Sequence, residues 1–162
     1  MRLFVAIQLS EEMKKNIGTA LHELKKQGVR GSYVPLQNLH LTLAFIGETD
    51  DPGAVKEAIR GISVKPFKLS LSDMGTFGNL LYIGLKGNQG LSAAAKSVRD
   101  ALSEAGIYYD RKKFTPHITI IRRASGNWKP VRVPKGEMMV KKISLMKTTF
   151  KDGKPVYTEL DL

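Results

Sequence analysis

Two histidines of this chain occupy the same four-residue setting, His40-Leu41-Thr42-Leu43 and His117-Ile118-Thr119-Ile120, and the second copy follows the first by 77 residues, from position 40 to position 117. Side chains of an extended strand alternate between faces. Each imidazole therefore shares a face with the hydroxyl two residues on, while the intervening aliphatic side chains point into a core. Two such strands side by side present two imidazoles and two hydroxyls. Near neutral pH a pair of imidazoles can divide acid and base work, one taking a proton from an attacking oxygen while the other gives one to a departing oxygen. The threonine hydroxyls suit the non-bridging oxygens of a phosphate. The scheme needs no metal, and neither tetrad supplies the third protein ligand that zinc usually takes.

Blander readings exist for each residue. A lone strand histidine is ordinarily satisfied by a nearby backbone group, and threonine is simply a good strand former. Recurrence of both at one offset favours chemistry. The fifth position after each histidine, Phe45 and Arg122, is also of interest. Strict alternation puts neither on the histidine face, so the strand must end, twist or bulge for them to join it. Arg123 is the rival that strict alternation favours, and Phe45 reads equally well as a core residue. Phe77, Tyr33, Tyr108 and Tyr109 are candidate rim contacts for which core packing or loop anchoring is the preferred reading. His22, with no motif around it, is expected to be a solvated helix residue.

The doubled tetrad, with Arg2–Ile7 (RLFVAI), Asn38–Glu48 (NLHLTLAFIGE), Lys65-Pro66-Phe67, Gly75-Thr76-Phe77 and Phe114–Arg122 around it, resembles the 2H phosphoesterase superfamily. The nearer likeness is to its RNA 2′,3′-cyclic phosphodiesterases, the LigT-like enzymes also called 2′-5′ RNA ligases. The resemblance implies an α+β fold of duplicated β-α-β-α-β units. In it, two pseudo-symmetric lobes with antiparallel sheets flank a central cleft and carry their helices outside. It further implies hydrolysis of RNA 2′,3′-cyclic phosphate ends to 2′-phosphates, tRNA fragments among the substrates, with reversal to a 2′-5′ linkage and no cofactor. By the same resemblance His40 is the proton donor and His117 the acceptor, and Thr42 and Thr119 bind the phosphate. Phe45 and Arg122 flank a nucleobase, with Arg122 also near the phosphate. The alternatives are an RNA-end-binding module with weak catalysis, or a phosphodiesterase for another cyclic phosphate or a 2′-5′ oligonucleotide.

Composition agrees. Lys and Arg number 26 against 15 Asp and Glu, a formal charge of +11 that favours polyanionic partners. Cysteine is absent, which removes disulfides, thiolate catalysis and Cys-based metal sites. No apolar run approaches the roughly 20 residues of a membrane span, and Met1 leads into a strand rather than a signal sequence. A cytoplasmic monomer without membrane contact is expected.

The elements that must position the site follow from pattern. Residues 1–162 are expected to form one domain of two closely packed lobes. Arg2–Leu9 reads as a buried strand. Ser10, with Glu11 and Glu12, caps a helix that Gly28 ends. Val29–Gln37 is expected to be irregular, Leu39–Ile46 to be the first histidine strand, and Asp51-Pro52 to open a helix reaching Gly61. Lys65–Ser72 and Leu80–Leu85 read as strands around a turn marked by Gly75 and Gly78. Gly90–Gly106 reads as the third helix, and Lys112 and Lys113 lead into the second histidine strand. Ala124–Lys135 is expected to be a loop. Met139–Phe150 and Pro155–Leu160 are expected to be strands joined at Asp152-Gly153.

Overall fold

The structure, a computed structural model, describes residues 1–162. In chain order the elements are β1 (Arg2–Gln8), α1 (Glu11–Lys26), β2 (Arg30–Tyr33), a 3₁₀ turn (Leu36–Asn38), β3 (His40–Glu48), α2 (Pro52–Arg60), β4 (Phe67–Phe77), β5 (Leu80–Leu85), α3 (Gln89–Glu104), β6 (His117–Ser125), β7 (Glu137–Val140), β8 (Ser144–Lys151) and β9 (Lys154–Leu160). The helices begin where a short polar side chain can take an orphan N–H. Ser10, Asp51 and Asn88 accept from Met13, Ala54 and Leu91, each at 3.1 Å. Gly28 (φ 89°) and Gly106 (φ 70°) follow the first and third helices with the left-handed backbone that ends them.

All strand pairing is antiparallel, in two sheets ordered β3-β1-β8-β9 and β2-β6-β5-β4-β7. The run β3-β1-β8-β9 has its counterpart in β6-β5-β4-β7, with a histidine strand leading each. Beyond that correspondence, β2 comes from the first half of the chain yet pairs with β6 of the second, Tyr33 opposite Ile121. One continuous core of 34 buried side chains draws on both sheets and all three helices, so α+β describes the fold. Helix α3 packs on β3, and β3 adjoins β6 across the junction of the sheets. The histidine strands are thereby neighbours, though they belong to different sheets.

Four expectations need correction. Val29–Gln37 is not wholly irregular, because Arg30–Tyr33 forms β2 along the open edge of β6. Gly75 is not in a turn: β4 continues to Phe77 and only Gly78-Asn79 turns, because the bare Gly75 backbone lets the Tyr82 ring of β5 lie across it. Met139–Phe150 is not one strand. Its beginning pairs with β4 in one sheet as part of β7, and its end pairs with β1 in the other as β8. Ala124 and Ser125 belong to β6, not to the following loop.

Candidate active site

Each histidine is the first residue of its strand, β3 or β6, and the backbone just ahead fixes its ring. His40 Nδ1 lies 2.7 Å from the Asn38 carbonyl and His117 Nδ1 lies 2.7 Å from the Thr115 carbonyl. A carbonyl only accepts, so both Nδ1 atoms donate and both rings hold the tautomer that reserves Nε2 for chemistry. Asn38 is itself anchored, its buried side chain donating to the Pro155 carbonyl at 3.1 Å. Thr42 Oγ1 lies 3.0 Å from His40 Nε2. Thr119 occupies the matching place beside His117 and is half-buried.

Both strands contain the irregularity that the fifth position requires, at the same point of the repeat. In β3 the register passes from Val5↔Ala44 to Ala6↔Thr42 and skips Leu43. In β6 it passes from Leu81↔Ile121 to Tyr82↔Thr119 and skips Ile120. Two successive residues are consequently buried in each strand, Leu43-Ala44 and Ile120-Ile121. The phase of alternation shifts, and Phe45 and Arg122 emerge on the exposed side with the histidines. Phe45 is 36% exposed with the Arg2 guanidinium 5.2 Å from its ring centroid, so it is not a core residue. Arg122 and Arg123 are both exposed; the charge of Arg122 acts on His40, while Arg123 takes a left-handed backbone (φ 50°) just beyond the bulge.

Aromatic rings wall both imidazoles. Phe4 and Tyr157 pack on His40, with ring centroids at 4.8 and 5.2 Å. Phe77 and Tyr82 pack edge-on against His117 at 5.1 and 5.5 Å. Burial holds the His40 imidazolium below the usual histidine range. The Asn38 carbonyl opposes this, and the positive charges of Arg122 and His117 add to it. The action of those two charges on His40 is the electrostatic mark of residues from both strands meeting in one place.

The remaining aromatics divide. Phe77, expected to pack in the core, is 44% exposed beside His117. Tyr109 is buried and bonded to Ser103, Tyr33 donates to the Val29 carbonyl at 2.6 Å, and Tyr108 is exposed. His22, Lys112 and Lys113 are exposed. Phe4, Tyr82 and Tyr157 were missed as wall residues. Alternation alone would have put Phe4 and Tyr82 on the histidine faces of the adjoining strands, but nothing local tied β9 to β3. No three His, Cys, Asp or Glu side chains gather anywhere as a metal-binding group. Two concavities, of about 510 and 440 Å³, lie along the Pro130–Arg132 loop and contain no histidine. The imidazole pair and not cavity size therefore marks the candidate site.

Three likenesses bear on this geometry. Residues 13–149 match the 2′-5′ RNA ligase superfamily. The chain is 33% identical to the RNA 2′,3′-cyclic phosphodiesterase of Methanocaldococcus jannaschii over 97% of its own length and 96% of that protein's. It superposes on Escherichia coli LigT, solved with 3′-AMP, at a TM-score of 0.82 with 30% identity, covering 99% of this chain and 95% of that one.

Proposed function

The chain belongs to the 2′-5′ RNA ligase superfamily, and from that membership we propose that it hydrolyses RNA 2′,3′-cyclic phosphate ends to 2′-phosphomonoesters. The observation that carries the reading is the matched pair of Nε2 atoms, on rings held in one tautomer by carbonyls two residues upstream. A water oxygen attacks phosphorus as His117 takes its proton. The P–O3′ bond breaks as His40 protonates the departing oxygen. Burial makes the His40 imidazolium a stronger acid than usual, which suits a donor to an alkoxide-like leaving group. Its Nδ1–H stays on the Asn38 carbonyl throughout.

Thr42 and Thr119 hold non-bridging phosphate oxygens, Thr42 exchanging its present bond with His40 for one with substrate. Arg122 binds the same phosphate or stacks on the terminal base opposite Phe45. No metal or cofactor takes part in this scheme. The protein acts as a cytoplasmic monomer on RNA ends that include tRNA fragments, and the reverse reaction forms a 2′-5′ linkage.

Product analysis tests the proposal directly. A short RNA ending in a 2′,3′-cyclic phosphate, incubated in excess EDTA, should yield the 2′-phosphate. Turnover that vanishes in EDTA and returns with zinc or manganese would overturn the two-imidazole mechanism. Tight binding of the RNA without turnover would make the protein an RNA-end-binding module.

A further inference from the structure

Phe77 stacks on Tyr82, the ring centroids 4.5 Å apart and the planes 28° from parallel, and meets His117 edge-on. One face lies on Tyr82, yet Phe77 is 44% exposed, so its other face is open. The backbone accommodates this stack. Tyr82 lies across Gly75, where an added Cβ would stand 2.5 Å from the phenol oxygen. The rings packed on His40 have no equivalent, since Phe4 is only 4% exposed and Tyr157 stands edge-on to both Phe4 and His40. The exposed ring of that strand, Phe45, carries the Arg2 guanidinium 5.2 Å from its centroid instead of a stacked aromatic.

That asymmetry gains a chemical direction from the roles proposed above, on which the inference rests. Water enters beside His117, while the ribose of the cyclic phosphate departs toward His40. An alcohol in place of the water would bring its substituent to the His117 side. We infer that the open face of Phe77 is an acceptor subsite, stacking the base of a nucleoside whose 5′-hydroxyl replaces water in the attack on phosphorus. The base and the 5′-CH₂OH of a nucleoside project from the same face of the ribose, so a base stacked beside His117 carries its 5′-oxygen to that imidazole. The 5′-oxygen bonds to phosphorus, its proton passes to His117, the P–O3′ bond breaks and His40 protonates O3′. The product is a 2′-5′ phosphodiester, formed without net redox change or a further co-reactant. Stacking of this kind tolerates any base.

The test partitions one substrate among three acceptors. A nucleoside 2′,3′-cyclic phosphate is turned over by the full chain in water containing either 2′,3′-dideoxyadenosine, whose only sugar hydroxyl is the 5′ one, or methanol, an alcohol with no base. The expected result is a saturable nucleoside adduct. Phe77→Leu should lower the nucleoside-to-water ratio by about fivefold or more without moving the methanol-to-water ratio, and Phe77→Trp should keep the nucleoside ratio. An equal fall of hydrolysis and both transfers in Phe77→Leu would overturn the subsite and leave the ring a wall for His117. Hydrolysis by the wild-type protein with no nucleoside adduct would overturn it too. Absence of hydrolysis removes the cyclic-phosphate reading and the subsite with it.

Discussion

At the scale of single residues, the imidazole pair makes demands that side-chain variants expose. His40→Ala and His117→Ala should each lose roughly 10²- to 10⁴-fold in turnover, the usual contribution of general acid–base catalysis. The double variant should fall well short of the product of the two losses, because groups acting as a unit are not additive. Activity measured beside a thermal melt separates this from unfolding, and a folded His117→Ala protein with near-normal turnover would end the mechanism. Thr42→Ala and Thr119→Ala each remove one hydrogen bond to a charged oxygen, about 1.5–3 kcal/mol. Activity should fall on the order of tenfold to a hundredfold, and full activity in both variants would reduce these residues to strand formers. The pH profile has a definite sign. Putting a second proton on the pair requires charging His40 against its burial and against the charges of Arg122 and His117. The doubly protonated, inactive form thus appears only below the ordinary imidazole value of about 6.5, and the acid limb of kcat/KM should lie beneath it. A bound phosphate anion favours imidazolium, so the acid limb of kcat should move to higher pH, each limb belonging to the pair. A kcat/KM acid limb above that value, or one unmoved in kcat, would contradict this.

At the scale of elements, the paired bulges do the positioning and Arg99 of α3 holds one of them. The bulged Leu43 lies on the outer edge of the first sheet, where no strand takes its carbonyl. Arg99 Nε donates to that carbonyl at 3.1 Å, and its terminal nitrogen donates to the Lys112 carbonyl at 2.8 Å, in the loop that leads to His117. The Asp110 N–H donates to the Phe45 carbonyl at 2.8 Å. One guanidinium thus ties the bulge that exposes Phe45 to the approach of the second histidine. Arg99→Ala should lower both thermal stability and kcat, with Arg99→Lys recovering only part because an ammonium lacks the planar fork. A melt and a kcat both unchanged in Arg99→Ala would disprove the coupling. Strict alternation made the need for a bulge legible in the sequence, since Phe45 and Arg122 had no other way onto the histidine face, but it did not locate the bulge. β2 was hidden because Arg-Gly-Ser-Tyr buries almost nothing and is a strand only through its pairing with β6. The break between β7 and β8 was hidden because each half is continuous by composition and only the choice of partner sheet divides them. The histidine tetrads, the Ser10 and Asp51 caps and the Asp152-Gly153 hairpin needed no such long-range information and were readable locally.

At the scale of the whole molecule, the formal charge of +11 distinguishes two kinds of substrate that the proposed two-imidazole chemistry would treat alike. A mononucleoside cyclic phosphate has one anionic group, and the side chains proposed to hold it would act within hydrogen-bonding range, where added salt acts weakly. An RNA would bring further phosphates, for which Arg111, Lys112 and Lys113 ahead of β6 and Arg123 upon it, all exposed, are the nearby cations in the chain. Those outer ion pairs lie in solvent, where screening at about 0.1 M salt cuts interactions beyond roughly 10 Å. Counterion release gives single-stranded binding a log–log salt slope of about −0.7 for each phosphate neutralised. Between about 50 and 200 mM salt, neutralising about three phosphates in this way would make kcat/KM for an RNA fall by roughly twentyfold, while the mononucleotide should change far less. Replacing Lys112 and Lys113 together by Gln should flatten the RNA slope by about 0.7 for each phosphate that is no longer neutralised. The measurement is kcat/KM against salt for a cyclic-ended oligonucleotide and for its terminal nucleoside cyclic phosphate, in wild type and in the double variant. Parallel salt curves for the two substrates would show that the excess charge plays no part in gathering RNA and that recognition ends at the terminal nucleotide.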